Sequence, residues 1–148
     1  MSLQQEVMTK LKEAMKAKDK VALESLRAIK SALLLAQTSG DNKEMTTEDE
    51  IKLVQKLVKQ RKDSAVLYKE QGRNDLAEPE LAQVAILAQF LPEQMSEDAL
   101  KEAIQAIITQ VGATSMKDMG KVMGMASKQL AGKADGKAIS GVVKGLLM

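Results

Sequence analysis

Apolar residues recur along this chain at spacings of three and four, the period of a helix, and no segment shows the alternation of a strand. Ser2 followed by Gln5 has the pattern of a capping box, in which each residue's side chain bonds the other's backbone amide. It opens a first helix with Leu3, Val7, Met8, Leu11 and Met15 on one face. Lys16, Lys18 and Lys20 bracket Asp19, a cap for a second helix carrying Leu26, Ile29, Leu33 and Ala36. Residues 38–45, with Gly40-Asp41-Asn42, read as a loop. Thr46 or Thr47 caps a long third helix, Thr47 with Glu50 making the better box. Its apolar positions are Ile51, Val54, Leu57, Val58, Ala65 and Tyr68, and Gly72 is its natural stop. A fourth helix begins near Asp75, paired with Glu78 as a cap, or at Pro79, which suits a first helical turn. It continues through Leu81, Val84, Leu87 and Leu91 until Pro92 ends it.

Leu91-Pro92-Glu93-Gln94-Met95-Ser96 is the expected boundary. Ser96 starts a fifth helix, with Met95 and Leu100 placed as a hydrophobic staple. Leu100, Ile104, Ile107, Ile108 and Val111 form its stripe before Gly112. Ser115 caps a sixth helix with Met116, Met119, Met123, Ala126 and Leu130 inward, ending at Gly132. Asp135 caps a seventh, with Ile139, Val142, Val143 and Leu146 inward. The chain is therefore expected to be all-α: a four-helix amino-terminal domain over residues 1–92, then a small three-helix carboxyl-terminal domain over residues 93–148.

Composition sharpens this picture. Tyr68 and Phe90 are the only rings, while there are ten methionines. Such a core must be filled by aliphatic side chains and Met, which suits closely packed helices. The absence of Cys and His removes disulfides, thiol chemistry, imidazole metal ligands and the commonest general base. No metal or cofactor is expected. The first residues lack the apolar run of a signal peptide and no stretch could span a bilayer, so a soluble, cytoplasmic protein is expected. The net charge of +2 is small. Its distribution is uneven: residues 113–148 hold six lysines against two acids, a locally basic last quarter.

Several polar clusters are candidate sites. Lys59-Gln60-Arg61-Lys62-Asp63-Ser64 interrupts the third helix's apolar stripe, and Arg61 falls near the buried face. It reads as a solvated face with a structural Arg–carboxylate pair, or as a phosphate-binding surface suited to guanidinium forks. Arg27 and Arg73 raise the same choice, since bidentate bonds to Asp63 or Asp75 would clamp loops. Arg27, Lys59, Arg61 and Arg73 are thus a secondary polar patch. In the sixth helix Lys117, Lys121 and Lys128 lie near one side, while Gly120 and Gly124 cost the helix about 1 kcal/mol each relative to Ala. Two such glycines suggest close approach by another helix or by a ligand's backbone. Gly132-Lys133-Ala134-Asp135-Gly136-Lys137 places lysines at a helix start, where a phosphate can bind. Asp135 as a cap would occupy the same amides, and the spacing is not that of a nucleotide P-loop. Catalysis finds little to use: the acids of Glu48-Asp49-Glu50 sit where they support a helix start, and no serine lies in an amidase-like loop.

Ser25-Leu26-Arg27, Lys59-Gln60-Arg61-Lys62-Asp63-Ser64, Gly72-Arg73-Asn74-Asp75-Leu76, Phe90-Leu91-Pro92, Met116-Lys117-Asp118-Met119-Gly120-Lys121-Val122-Met123-Gly124 and Ala134-Asp135-Gly136-Lys137 together resemble the YqeY family. Its members are similar to the tail domain of GatB, the B subunit of glutamine-dependent tRNA amidotransferase. The resemblance covers nearly the whole chain and implies four helices followed by three. It also implies tRNA recognition, because the tail domain recognises tRNA while the chemistry occurs elsewhere in the larger machine. A related domain appended to some glutaminyl-tRNA synthetases aids tRNA binding. The family label, carbon–nitrogen ligase with glutamine as amido-N-donor, describes that machine. Two departures stand out. Phe90 replaces a more usual Tyr, and the stretch from Met123 to Gly132 is about one turn longer than in the GatB tail.

The residues and the resemblance together lead to an expected tRNA-binding accessory protein without catalysis of its own. Lys117, Lys121, Lys128, Lys133 and Lys137 would be its phosphate contacts. The alternatives are a dissociable partner of an amidotransferase or other amide-forming enzyme, and a protein-interaction module without an RNA role; tRNA is the expected partner, with an aminoacyl-tRNA synthetase or an amidotransferase as further candidates.

Overall fold

The computed structural model describes residues 2–39 and 45–148. The described residues form seven α-helices and one 3-10 turn, without strands. The all-α expectation holds. The chain divides into two compact units, Met1–Leu91 and Pro92–Met148.

In the first unit, α1 (Leu3–Ala17) starts on the expected box: Gln5 N–H donates to Ser2 Oγ at 3.3 Å and Ser2 N–H donates to Gln5 Oε1 at 3.1 Å. Its inward stripe differs from the expectation. Leu3, Val7 and Ala14 are buried with Leu11 beside them, whereas Met8 and Met15 are 39% and 58% exposed. At roughly 100° per residue, both methionines fall about a quarter-turn from the centre of that stripe. Lys18 closes the helix in the left-handed region at φ 56°, and Asp19 Oδ1 then accepts Ala22 N–H at 3.1 Å to start α2 (Lys20–Thr38). Ala22, Ser25, Leu26, Ile29 and Leu33 are buried along α2. The Ser25 hydroxyl is satisfied locally, donating to Val21 O at 2.8 Å.

Of the expected loop, Thr38 belongs to α2 and residues 40–44 lie outside the described residues. α3 (Thr47–Glu70) is capped by Thr46 with Asp49, both reciprocal bonds measuring 3.1 Å. The Thr47–Glu50 pair has the same spacing, so the sequence pattern was degenerate between them. Ala36, expected inward, is exposed; it borders an open cavity of about 550 Å³ between α2 and α3, with Leu35, Met45 and Leu53. Gly72, at φ 71°, ends α3 in the left-handed conformation that glycine adopts without steric cost. α4 (Asn74–Ala88) starts before Asp75, so Pro79 sits inside the helix and Asp75 does not cap it. Ala77 and Leu87 are fully buried while Leu81, expected inward, is 37% exposed.

α1 packs on α2, α3 on α4, and α2 on both α3 and α4. Their shared core joins Leu3, Val7, Leu26, Ile29, Leu33, Val54, Val58 and Leu87. One polar relay crosses these helices. Arg61 Nε donates to Gln83 Oε1 at 2.7 Å, and Gln83 Nε2 donates to Glu24 Oε2 at 3.2 Å.

In the second unit, Ser96 Oγ accepts Ala99 N–H at 3.2 Å to open α5 (Glu97–Val111). Leu100, Ile104, Ile107 and Ile108 are buried, and Gly112 stops the helix at φ 69°. Ser115 caps a 3-10 turn (Met116–Asp118) that feeds α6 (Met119–Gln129), rather than the α-helix itself. Val122 and Ala126 are the fully buried residues of α6; Met119 and Met123 are partly buried against the core, and Met116, expected inward, is 42% exposed. Asp135 Oδ1 accepts Ala138 N–H at 2.6 Å and starts α7 (Gly136–Leu147). Ile139, Val143 and Leu147 bury its inner face, so Leu147 takes the place expected of Leu146. The segment entering α5 is tied to the α6–α7 connection: Met95 N–H donates to Lys133 O at 2.9 Å, and Gln94 Nε2 donates to Gly132 O at 2.6 Å. Among the described residues no helix is long and apolar enough to cross a membrane.

These features give two stability predictions. Endoproteinase Glu-C is expected to cut first after Glu93, ahead of the Gln94 and Met95 ties, and both fragments should keep helical circular dichroism. A carboxyl-terminal fragment that is unfolded alone would defeat the two-unit reading. Lys18→Gly should raise stability by about 1 kcal/mol in urea unfolding, because a left-handed non-glycine residue costs roughly 1–2 kcal/mol, partly offset by glycine's greater unfolded-state entropy.

Candidate nucleic-acid interface

Lysines become a site only where nothing inside the protein has neutralised them. Lys117, Lys121, Lys128, Lys133, Lys137 and Lys144 are all exposed, and none forms an ion pair among the described residues. The two acids of the same stretch are occupied by backbone. Asp118 Oδ2 accepts Thr114 N–H at 3.0 Å, and Asp135 carries the α7 cap. Both carboxylates keep their charge, so residues 113–148 carry six lysines against two acids, a net charge of +4.

The helical register arranges two of these lysines. Lys121 and Lys128 are seven residues apart on α6, on nearly one line and roughly 10 Å apart along the axis. Lys117 sits on the 3-10 turn just ahead of them. Beside this line the exposed side of α6 presents Gly120, Gly124 and Ser127. A Cβ added at either glycine would meet nothing within 4 Å. Close approach by another helix therefore does not explain these two glycines, which leaves a low, nearly side-chain-free strip along the lysine line.

The five lysines expected as one site differ in what they border. Lys133 and Lys137 border a cavity of about 730 Å³ between α5 and α7, and none of Lys117, Lys121 and Lys128 lines it. The glycine-containing turn before α7 is no phosphate cradle, because the Asp135 carboxylate already takes the Ala138 amide. Sequence reading overlooked this cavity; its one signal was Gly141 and Gly145, four residues apart in α7.

Two of the four residues of the secondary patch, Arg61 and Arg73, are held by internal contacts. Arg61 is half-buried and held by Gln83 and by Leu57 O, at 3.1 Å, in place of the expected carboxylate. Arg73 forks onto Asp75, Nε to Oδ1 and Nη2 to Oδ2, both at 3.0 Å. Arg27 and Lys59 are exposed, and no bond from Arg27 to Asp63 is present among the described residues. The Arg73 hydrogen bonds hold the Asp75 carboxyl below the usual carboxylate range, while Asp49 is lowered by the Thr46 backbone amide first and its hydroxyl second. Among the described residues no group of three or more His, Cys, Asp or Glu side chains converges as a metal site.

Comparison with known proteins gives a family match: a model described as Yqey-like protein covers residues 4–147. An uncharacterized protein of Schizosaccharomyces pombe is 34% identical over 96 residues, spanning 64% of this chain and 76% of that one. Two proteins named "Altered inheritance of mitochondria protein 41, mitochondrial" are also similar. The one from Pyrenophora tritici-repentis is 29% identical, covering 84% of this chain and 68% of its own length. The one from Kluyveromyces lactis is 28% identical, covering 90% and 70%. These names correct the cytoplasmic expectation. It rested on the lack of an apolar leader, whereas mitochondrial transit peptides are amphipathic and not apolar, so that observation had no bearing on a mitochondrial address.

Two outcomes follow from the geometry. Gly120→Ala and Gly124→Ala should each raise stability in chemical unfolding by up to about 1 kcal/mol, because the added methyl meets no obstacle and Ala favours the helix. Asp75 should titrate below the ordinary carboxylate range in carbon-detected NMR, and Arg73→Ala should bring its midpoint back up. A depressed folded-state pKa means that this pair's contribution is present above about pH 4, the unfolded value, and fades as pH falls through the folded value.

Proposed function

Because this chain belongs to the YqeY family, we propose that it is a tRNA-binding accessory protein that grips the phosphate backbone through Lys117, Lys121 and Lys128. The observation that carries this reading is the row of exposed lysines without internal partners, set beside the Gly120–Gly124 strip. A phosphodiester chain laid along the strip passes two glycines and only the short Ser127 side chain, and the ammonium groups reach its oxygens from the adjoining line. Lys133, Lys137 and Lys144 add to the positive field without sharing that line.

The chemistry of this unit favours recognition by shape. It contains neither Arg nor an aromatic ring, since Arg27, Arg61, Arg73, Tyr68 and Phe90 all lie before Pro92. Lysine acts as a point charge and lacks the bidentate fork that reads a guanine edge. Without rings there is no platform for a splayed base. Affinity then comes from backbone charge and the fold of the RNA, and the amide-forming step of the family label belongs to a partner enzyme. The reading applies wherever translation occurs, mitochondria included.

Salt dependence tests the reading. With about three phosphate contacts, the log–log slope of tRNA affinity against salt should be roughly −2 to −3, at ~0.7–0.9 per contact. Lys117→Glu, Lys121→Glu and Lys128→Glu together should weaken binding by more than tenfold and flatten the slope, with helicity unchanged because Lys and Glu have similar propensity. The same change at Lys12, Lys16 and Lys52 should matter much less. Fluorescence anisotropy decides: a flat salt response rejects the phosphate grip, and equal losses from both triple variants reject its position on α6.

A further inference from the structure

A second surface of the carboxyl-terminal unit has the makings of a different contact. The cavity of about 730 Å³ between α5 and α7 is floored by Leu100, Val142 and Leu146, with Met95 at its end. Along α7 its wall is Ala138, Gly141 and Gly145, which recur at helical spacing. A Cβ at Gly141 or Gly145 would meet nothing within 4 Å, so the trough is open and its wall is at backbone level. Its rim carries Lys101, Lys133 and Lys137 against Glu97 and Asp135. Lys101 and Glu97 face each other at 3.9 Å, and Asp135 is committed to the α7 cap. Three lysines against two carboxylates leave this lining with a net charge of +1, and neither Lys133 nor Lys137 is held in an ion pair among the described residues.

We propose that this trough seats an amphipathic helix of a partner protein, one that carries acidic residues beside its apolar stripe. The floor is apolar and extended, with no buried charged group to orient a small polar ligand. Helix-in-groove contacts are read by side chains at i, i+3, i+4 and i+7. Ala138, Gly141, Val142 and Gly145 supply the matching small and apolar positions. With 12 residues, α7 is roughly 18 Å long, room for about three turns of a partner. The absence of side chains at Gly141 and Gly145 lets the partner's backbone come close. Lys133 and Lys137 then select acids on the incoming helix, since like charges placed opposite them would be repelled. This site stands independently of the RNA contact on α6, because none of the α6 lysines lines it.

The test uses the full chain and displayed helical peptides of about 15 residues, long enough to span the trough at ~1.5 Å per residue. Selection against the wild-type chain is expected to enrich helices with an apolar stripe flanked by Glu or Asp. Backbone amide NMR should place their footprint on the first half of α5 and on α7. Gly141→Leu with Gly145→Leu should reduce their affinity more than tenfold, with helical circular dichroism retained and tRNA affinity within twofold of wild type. Lys133→Glu with Lys137→Glu should weaken the acidic peptides and favour versions in which Lys replaces their acids. The proposal fails if the enriched peptides are not acidic helices. It also fails if they bind the leucine-filled variant as well as wild type, or if sedimentation shows that a second copy of the chain occupies the trough.

Discussion

Helices with almost no rings to bury can hold together only by lying close. Every feature of this fold depends on that constraint. Tyr68 and Phe90 are the chain's only rings, and both are partly exposed. The contact surfaces are therefore built from Leu, Ile and Val set among alanines: Ala14 and Ala22 in the first core, Ala126 in the second, and buried Ala65 and Ala77 in α3 and α4. A small residue at the contact draws two helix axes toward the near end of the usual 8–10 Å range. Enlarging one of those alanines would press on a neighbouring helix, and overpacking typically costs 1–3 kcal/mol. Methionine, abundant here, occupies the margins instead: Met119, Met123 and Met125 line the second core without being its centre.

That division explains which parts of the fold could be read in advance. Helix existence, the caps at Ser2, Asp19, Ser96 and Asp135, and the Gly72 and Gly112 stops were legible because each is set by residues within a turn of one another. The inward face was legible for α5, where isoleucines mark it without ambiguity. It was misread on α1 and at Met116, where methionine's hydrophobicity suggested burial. The small Ala14 and the β-branched Val122 hold buried places there that no expectation gave them. Pattern matching also could not choose between Thr46 and Thr47, since both have an acid three residues on.

The candidate site divides along the same line between local and distant information. That lysines cluster after Gly112 is a sequence fact; that they lack partners is a property of the folded unit. The fate of the arginines depended on contacts across the fold. Arg73 found Asp75 two residues away, which the sequence could suggest. Arg61 is satisfied by Gln83, itself bonded to Glu24, a relay spanning three helices that no local pattern encodes. The cavity between α5 and α7 was equally invisible, because it exists only where two stretches some forty residues apart face each other.

The contrast between the chain's two kinds of cation carries a functional consequence. Two of the three arginines, Arg61 and Arg73, make directional bonds within the first unit, as their planar forks allow. The second unit has lysine as its only cation, and on the proposed reading these point charges suit a partner whose backbone follows a path and not a fixed set of acceptors. A surface made that way adheres to polyanions in general and discriminates poorly among them, since phosphate contacts carry no sequence information. Selectivity must therefore enter through something besides the lysine line. The proposed helix site in the same small unit, lined by three further lysines, would provide a separate place for it. Under the two proposals, a partner helix held there would keep a selective enzyme beside an RNA bound along α6. Two weak contacts joined in one unit also raise each other's effective concentration, so neither has to be strong by itself.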